Sequence, residues 1–72
     1  MPITPDELRT RFTYHPPKGD QPERYVALRD NAGALAALIV ELTPESREQS
    51  LAITCLEEAC FWANAAIARR TP

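Results

Sequence analysis

The sequence predicts an all-α protein in which a short N-terminal helix precedes a long antiparallel helical hairpin, and in which several copies form a homo-oligomer. Two long segments place apolar residues at helical spacing, and the turn between them at Thr43-Pro44 favours an antiparallel pair. Apolar residues make up 44% of the 72-residue chain, although so short a chain rarely gains more than ~3–5 kcal/mol from its own core. We therefore expect one helical domain, residues 1–72, whose apolar surface is covered by identical copies.

The first helix is expected over about residues 5–12. The run Thr4-Pro5-Asp6-Glu7 is a capping box, in which the Thr4 hydroxyl caps free backbone amides and Glu7 reaches back. The connection that follows, residues 13–19, contains two consecutive prolines and cannot be helical. It displays three side chains that suit ligand binding, namely Tyr14, His15 and Lys18.

Two of these side chains also have structural interpretations. Tyr14 is either a ring that stacks on a ligand or an aromatic lid over the core of the hairpin. His15 is either a ligand contact or a hydrogen-bonding group that holds the turn. The sequence leaves both alternatives open.

The second helix is expected over about residues 21–42, after the capping signal Asp20-Gln21-Pro22-Glu23. Gly33 in its middle costs about 1 kcal/mol against Ala, so we interpret it as a close packing contact. Arg29 lies between two apolar strips, where its stem can cover apolar surface while the guanidinium points at a neighbour. The main apolar stripe consists of Leu28, Ala32, Leu35, Ile39 and Leu42.

The third helix, over about residues 44–70, is the longest. Thr43 is expected to cap it, with Pro44 in the first position, where a missing N–H costs nothing. Its apolar residues cover roughly 200° of the circumference, whereas one partner helix covers a stripe only somewhat over 100° wide. The excess width predicts contact with a second copy as well as with the second helix. The centre of the arc is small and allows close approach, through Ala52, Ala59, Ala63 and Ala66.

Composition argues against several classes of function. The net charge of −2 and the pI of about 5.2 argue against binding to duplex nucleic acid. The single His has no Cys partner, and neither a glycine-rich phosphate loop nor a metal-ligand cluster is present in the sequence. We therefore expect no enzyme activity, no cofactor and no metal site.

The cysteines and the hydropathy pattern predict a soluble protein of a reducing compartment. Cys55 and Cys60 are about 140° apart on one helix, so they cannot bridge and are expected to be buried reduced thiols. We expect no signal peptide, and no apolar run is expected to approach the ~18 residues of a membrane span. These features favour an intracellular protein without membrane contact.

The cations favour anion binding. Seven of the eight are Arg, whose planar fork grips phosphate with two hydrogen bonds. Free N–H groups in the first turn of the third helix also favour an anion. An oligomer that gathers these groups from several copies would acquire a local cationic pocket, while the alternative is a surface of solvated ion pairs. The candidate residues are Lys18, Arg29, Ser46, Arg47, Arg69 and Arg70.

Two runs of sequence closely resemble one known family. They are F-T-Y-H-P-P at residues 12–17 and S-R-E-Q-S-L-A-I-T-C-L-E-E-A-C-F-W-A-N-A-A-I-A-R at residues 46–69. The family is that of the phage anti-defence hairpins, which comprises the anti-CBASS cyclic-oligonucleotide sponges and the related Thoeris anti-defence proteins. The likeness covers nearly everything after Arg11, and the blocks P-x-S-R-E-x-S-L-A and W-A-N-A-A-I-A-R are its most specific part.

The resemblance implies a non-catalytic hexamer that acts in the cytoplasm of the infected bacterial host. Such a protein binds cyclic dinucleotides such as cyclic GMP-AMP, and cyclic trinucleotides at a separate site on the symmetry axis. It thereby keeps immune signals from their effectors by mass action. The Thoeris branch binds cyclic ADP-ribose isomers, typically through an added domain for which 72 residues leave no room, and this favours the anti-CBASS branch.

The resemblance also implies roles for particular residues. Tyr14 matches a family position that stacks on a base, and Arg29 matches a cation of the second helix, where family members often have Lys. Arg69, with Arg70 as the alternative, resembles the Arg that converges on trinucleotide phosphates. The alternative function is that of a structural helical oligomer that binds protein partners and has no nucleotide ligand.

Overall fold

The computed structural model describes residues 2–72, and these form three helices and no strand. The helices are α1 (Pro5–Phe12), α2 (Gln21–Leu42) and α3 (Arg47–Arg70). α2 and α3 pack side by side as an antiparallel hairpin, which confirms the predicted fold class. The open end of the hairpin, where α2 begins and α3 ends, also carries α1 and the connection between α1 and α2.

α1 begins where the sequence predicts, because the Thr4 hydroxyl accepts the backbone N–H of Glu7 at 3.1 Å. The second hydrogen bond that the capping box predicts, from Glu7 back to the start of the helix, does not form within the described residues. The Glu7 carboxylate does not reach back and instead accepts hydrogen bonds from Arg11 at 2.9 Å and from Arg70 at 2.6 Å. The second of these bonds fastens α1 to the end of α3.

α2 also begins at the predicted residue, but Asp20 makes no side-chain cap bond there. Its carboxylate lies 3.3 Å from the Arg24 guanidinium instead. Gly19 precedes the helix with φ of 59°, a left-handed conformation that Gly adopts without a steric cost. The interpretation of Gly33 as a packing contact is wrong within the chain, because a Cβ built there would meet no atom within 4 Å.

α3 begins at Arg47, three residues later than predicted. Thr43 does not cap α3, because its N–H and its hydroxyl both donate to the carbonyl of Ile39 and so finish α2. Ser46 is the cap instead, and its hydroxyl accepts the N–H of Gln49 at 3.1 Å.

The described chain has almost no interior of its own, since none of its apolar side chains is buried. Its accessible surface is 5835 Å², whereas a folded monomer of 8.1 kDa would expose about 4,500 Å². The radius of gyration is 15.5 Å, against about 11 Å for a compact chain of this length. The expected burial of the thiols is also wrong for the single chain, because Cys55 is exposed and Cys60 only half-buried.

α3 is long and apolar enough, by length and composition alone, to cross a membrane. The expectation that no apolar stretch approaches a membrane span is therefore wrong on this criterion. Glu57 and Glu58 stand near the middle of the helix, where a charged side chain costs ~2.5–3.5 kcal/mol at a bilayer centre. This cost makes a protein partner a better cover for the apolar arc than lipid.

Candidate ligand-binding grooves

Half of the cations are already paired within the described residues. Four arginines form ion pairs with carboxylates of α1 or of the start of α2, and these are Arg9, Arg11, Arg24 and Arg70. The other four cations have no carboxylate within ion-pair distance in this part of the chain, and these are Lys18, Arg29, Arg47 and Arg69. Because no carboxylate pairs with them in this part of the chain, their charge is available to an anion, and all four are candidate site residues from the sequence.

The first groove, which we call the loop groove, lies at the open end of the hairpin and has a volume of about 370 Å³. It brings Tyr14 and His15 of the connection together with Arg69 of α3. Tyr14 is 79% exposed, so within one chain it is not a lid over the hairpin. The full lining consists of Arg11, Thr13, Tyr14, His15, Tyr25, Asn64, Ala65, Ala68 and Arg69.

His15 lines the loop groove and also holds the connection in place. Its Nε2 lies 2.7 Å from the backbone carbonyl of Thr10 and so carries the proton of that hydrogen bond. The bond anchors the connection to the last turn of α1. This contact fits the structural interpretation of His15, and the other ring nitrogen has no partner within the described residues.

The second groove, the hairpin groove, runs between α2 and α3 and has a volume of about 450 Å³. Arg29 and Glu57 are its charged groups, and the remainder of its lining is mostly apolar. It shares Tyr25 and Asn64 with the loop groove, so the two grooves form one continuous surface. Tyr25 precedes Arg29 by one helical turn, about 6 Å along α2.

The third groove, the end groove, has a volume of about 490 Å³ and is lined by Arg11, Phe12, Trp62, Ala65, Ala66, Arg69 and Arg70. Two of its guanidinium groups, those of Arg11 and Arg70, are held by Glu7. Hydrogen bonds from Arg70, and to a lesser extent from Arg11, lower the pKa of Glu7 from 4.5 to about 2. The hydrogen bond to Glu7 in turn raises the pKa of Arg70. Arg69 is therefore the unpaired member of the Arg69–Arg70 pair.

The remaining candidate residues do not line these grooves. Lys18 is fixed through its backbone, whose N–H donates to the side chain of Gln21 at 3.1 Å. Ser46 and Arg47 stand at the start of α3, and Arg47 is about 33 Å along the helix from Arg69. One chain does not bring these two residues to the grooves.

Sequence reasoning missed two residues that join the grooves. The sequence does contain a signal for Tyr25, because this residue lies four positions before Arg29 and therefore shares its helical face. The sequence contains no such signal for Asn64. Its place beside Tyr25 depends on the register between α2 and α3, which local patterns do not specify.

Comparison with known families gives one result. The family model described as the Acb2/Tad1 hairpin domain matches residues 4–68, which include all three helices up to the last turn of α3. Neither the comparison with curated proteins nor that with solved structures gives a match to this chain.

Proposed function

The chain belongs to the Acb2/Tad1 hairpin-domain family of anti-defence proteins, and on that premise we propose that it sequesters cyclic oligonucleotide immune signals. Its ligands would be cyclic dinucleotides such as cyclic GMP-AMP, with cyclic trinucleotides at a second site. Binding would lower the free signal in the cytoplasm of an infected bacterium, so that the effector stays inactive. No chemical step is required of the protein.

One observation carries the proposal for the dinucleotide. The exposed Tyr14 ring is joined through Tyr25 to the unpaired guanidinium of Arg29 along one continuous surface. A phosphate diester with bases needs an aromatic face for stacking and a cation for its charge. Tyr14 would stack on a base and Arg29 would bind a phosphate, with His15 in the lining of the same surface. Lys18 lines none of the grooves and remains a candidate only through its unpaired charge near the connection.

The second site is proposed around Arg69. Its guanidinium is unpaired within the described residues and lies where the loop and end grooves meet. Arg70 is occupied by Glu7 at 2.6 Å, so we assign trinucleotide binding to Arg69 rather than to Arg70. Several copies around a symmetry axis would direct several Arg69 side chains at one ligand.

The affinity that sequestration needs is within reach of such contacts. Competition with an effector requires about nanomolar affinity, or −12 kcal/mol. Two or three charge-assisted phosphate contacts contribute ~1.5–3 kcal/mol each, and stacking contributes ~1–3 kcal/mol per base. A groove formed before the ligand arrives avoids much of the ordering cost.

We also propose that the protein is a homo-oligomer, a hexamer as the resemblance implies. Its exposed surface exceeds that of a folded monomer by about 1,300 Å². The excess exceeds the ~800 Å² per partner of a standard interface, so it suits contact with more than one copy. Ser46 and Arg47 remain candidates for the ligand site only if a neighbouring copy brings them to the grooves.

Thermal melting with and without ligand tests the proposal. At 10 μM cyclic GMP-AMP, nanomolar binding would stabilise the folded protein by about 5 kcal/mol per site. The Tm would therefore rise by more than several degrees. A cyclic triadenylate should also raise Tm, and Arg29→Ala should lose most of the dinucleotide shift while it keeps the trinucleotide shift. If no cyclic nucleotide changes Tm, the structural oligomer that binds protein partners is the better account.

A further inference from the structure

The one buried side chain among the described residues is polar. Gln21, the first residue of α2, is 3% exposed, while every apolar side chain is more accessible. A buried primary amide is costly unless its donors and acceptor are bonded. Its contacts therefore indicate what the residue holds together.

The Gln21 amide joins two segments of the open end. Its Nε2 donates to the carbonyl of Ile67 in α3 at 3.2 Å, and its Oε1 accepts the N–H of Lys18 at 3.1 Å. The backbone N–H of Gln21 donates back to the Lys18 carbonyl at 3.1 Å. One side chain thus ties the end of the connection to the last turn of α3.

These two segments carry the walls of the loop groove. Lys18 lies near the end of the proline-containing connection that displays Tyr14, and Ile67 lies next to Ala68, which lines the groove. Gln21 itself does not line the groove. It is therefore placed to set the spacing between the ring and the α3 wall without touching a ligand.

We propose that Gln21 is a positioning residue of the cyclic-dinucleotide site, which holds Tyr14 and the α3 wall at the spacing that the ligand requires. This inference rests on the proposed function. Without the Gln21 amide, the connection would have to be ordered at the moment of binding, and the affinity would fall by that ordering cost.

The test compares Gln21→Met with a matched control at the other end of the hairpin. Met keeps the length of the side chain and removes both hydrogen bonds. Gln49 is the control, because its Nε2 donates to the backbone carbonyl and the hydroxyl of Thr43, at 3.1 and 3.0 Å, and so ties the turn between α2 and α3 in a similar way. Gln49→Met should therefore disturb the hairpin comparably but far from the loop groove.

Two measurements are made on the intact protein. Calorimetric titration with cyclic GMP-AMP should give about tenfold weaker binding for Gln21→Met, and an unchanged Kd for Gln49→Met. Hydrogen exchange without ligand should be faster at residues 14–19 in Gln21→Met, and unchanged there in Gln49→Met.

The two measurements separate the inference from the proposed function. If the wild-type protein binds no cyclic nucleotide, the proposed function fails, while the exchange experiment still tests whether Gln21 orders the connection. Equal losses of affinity in both variants would overturn the inference, because they would reflect general destabilisation. Unchanged exchange at residues 14–19 in Gln21→Met would overturn it as well.

A second variant covers the case in which Gln21→Met does not fold, as judged by circular dichroism. Gln21→Glu keeps an oxygen that can accept the Lys18 N–H and removes the donor to Ile67. It should weaken binding, and exchange at residues 14–19 should be faster than in the wild type, because the connection is no longer tied to α3. Wild-type affinity in Gln21→Glu would contradict a role for the bond to α3.

Discussion

Replacement of Trp62 by Ala should break the assembly while leaving the helices formed. Trp62 lies on the apolar arc of α3 and is 71% exposed in the single chain. It also lines the end groove beside Phe12, which is 84% exposed. Two large rings in open solvent at one site are typical of a surface that another copy covers.

The exposed fraction of Trp62 gives the size of the effect. An aromatic side chain of this size buries up to about 250 Å², so 71% exposure leaves about 180 Å² for a partner to cover. At ~25 cal/mol per Å² this area is worth up to about 4–5 kcal/mol per copy. Replacement of a central interface residue by Ala typically costs ~2–4 kcal/mol, which corresponds to about 30-fold or more in the dissociation constant.

Sedimentation velocity over a range of protein concentrations measures this change. Trp62→Ala should shift the population towards smaller species, and Trp62→Phe should shift it much less because most of the apolar area remains. Tyr14→Ala is the matched control, since Tyr14 is a similarly exposed ring, at 79%, but belongs to the loop groove. It should sediment as the wild type does.

Two results would refute this reasoning. A wild-type protein that stays a folded monomer at micromolar concentration would show that the surplus of about 1,300 Å² in its 5835 Å² of accessible surface needs no partner. Sedimentation of Trp62→Ala identical to that of the wild type would show that the end groove is not part of an interface.

Three further predictions concern single residues. Tyr14→Ala should lose cyclic-dinucleotide binding in calorimetry by about 1–3 kcal/mol, whereas Tyr14→Phe should keep most of it, because stacking needs the ring and not the hydroxyl; equal affinity in the Ala variant would exclude stacking. Arg69→Ala should weaken only trinucleotide binding, and Arg70→Ala should have little effect on either ligand because Glu7 already holds that guanidinium; loss of dinucleotide binding in Arg69→Ala would mean that both ligands use the loop groove. The lowered pKa of Glu7 means that its ion pairs stabilise the docking of α1 above about pH 4.5 and that this contribution is lost as the pH falls to about 2. Carboxyl titration by NMR should therefore give Glu7 a pKa near 2 in the wild type and a value nearer 4.5 when both Arg11 and Arg70 are changed to Ala; a value near 4.5 in the wild type would show that the pairs do not form.

The helices themselves could be predicted from local sequence. The Thr4 cap and the prolines after α1 and before α2 act within a few residues, and local rules describe them well. The start of α3 was missed because a Thr between two helices can serve either one. Thr43 donates twice to the Ile39 carbonyl at the end of α2, and Ser46 caps α3 instead.

The site could be predicted only in part. The resemblance predicts a ligand-binding role for Tyr14 and Arg29, and this stays a prediction. The structure places the two residues along one continuous surface. Neither the capture of Arg70 by Glu7, 63 residues away in the sequence, nor the burial of Gln21 against α3 follows from local patterns. Both contacts depend on how the end of α3 meets the start of the chain.

The most direct measurement of sequestration is a titration with cyclic GMP-AMP followed by recovery of the bound nucleotide. The protein is saturated in a calorimeter, separated from free ligand, and denatured, and the released nucleotide is identified by mass spectrometry. We predict tight binding and quantitative release of unchanged cyclic GMP-AMP. Absence of binding, or release of a hydrolysed product, would contradict the account.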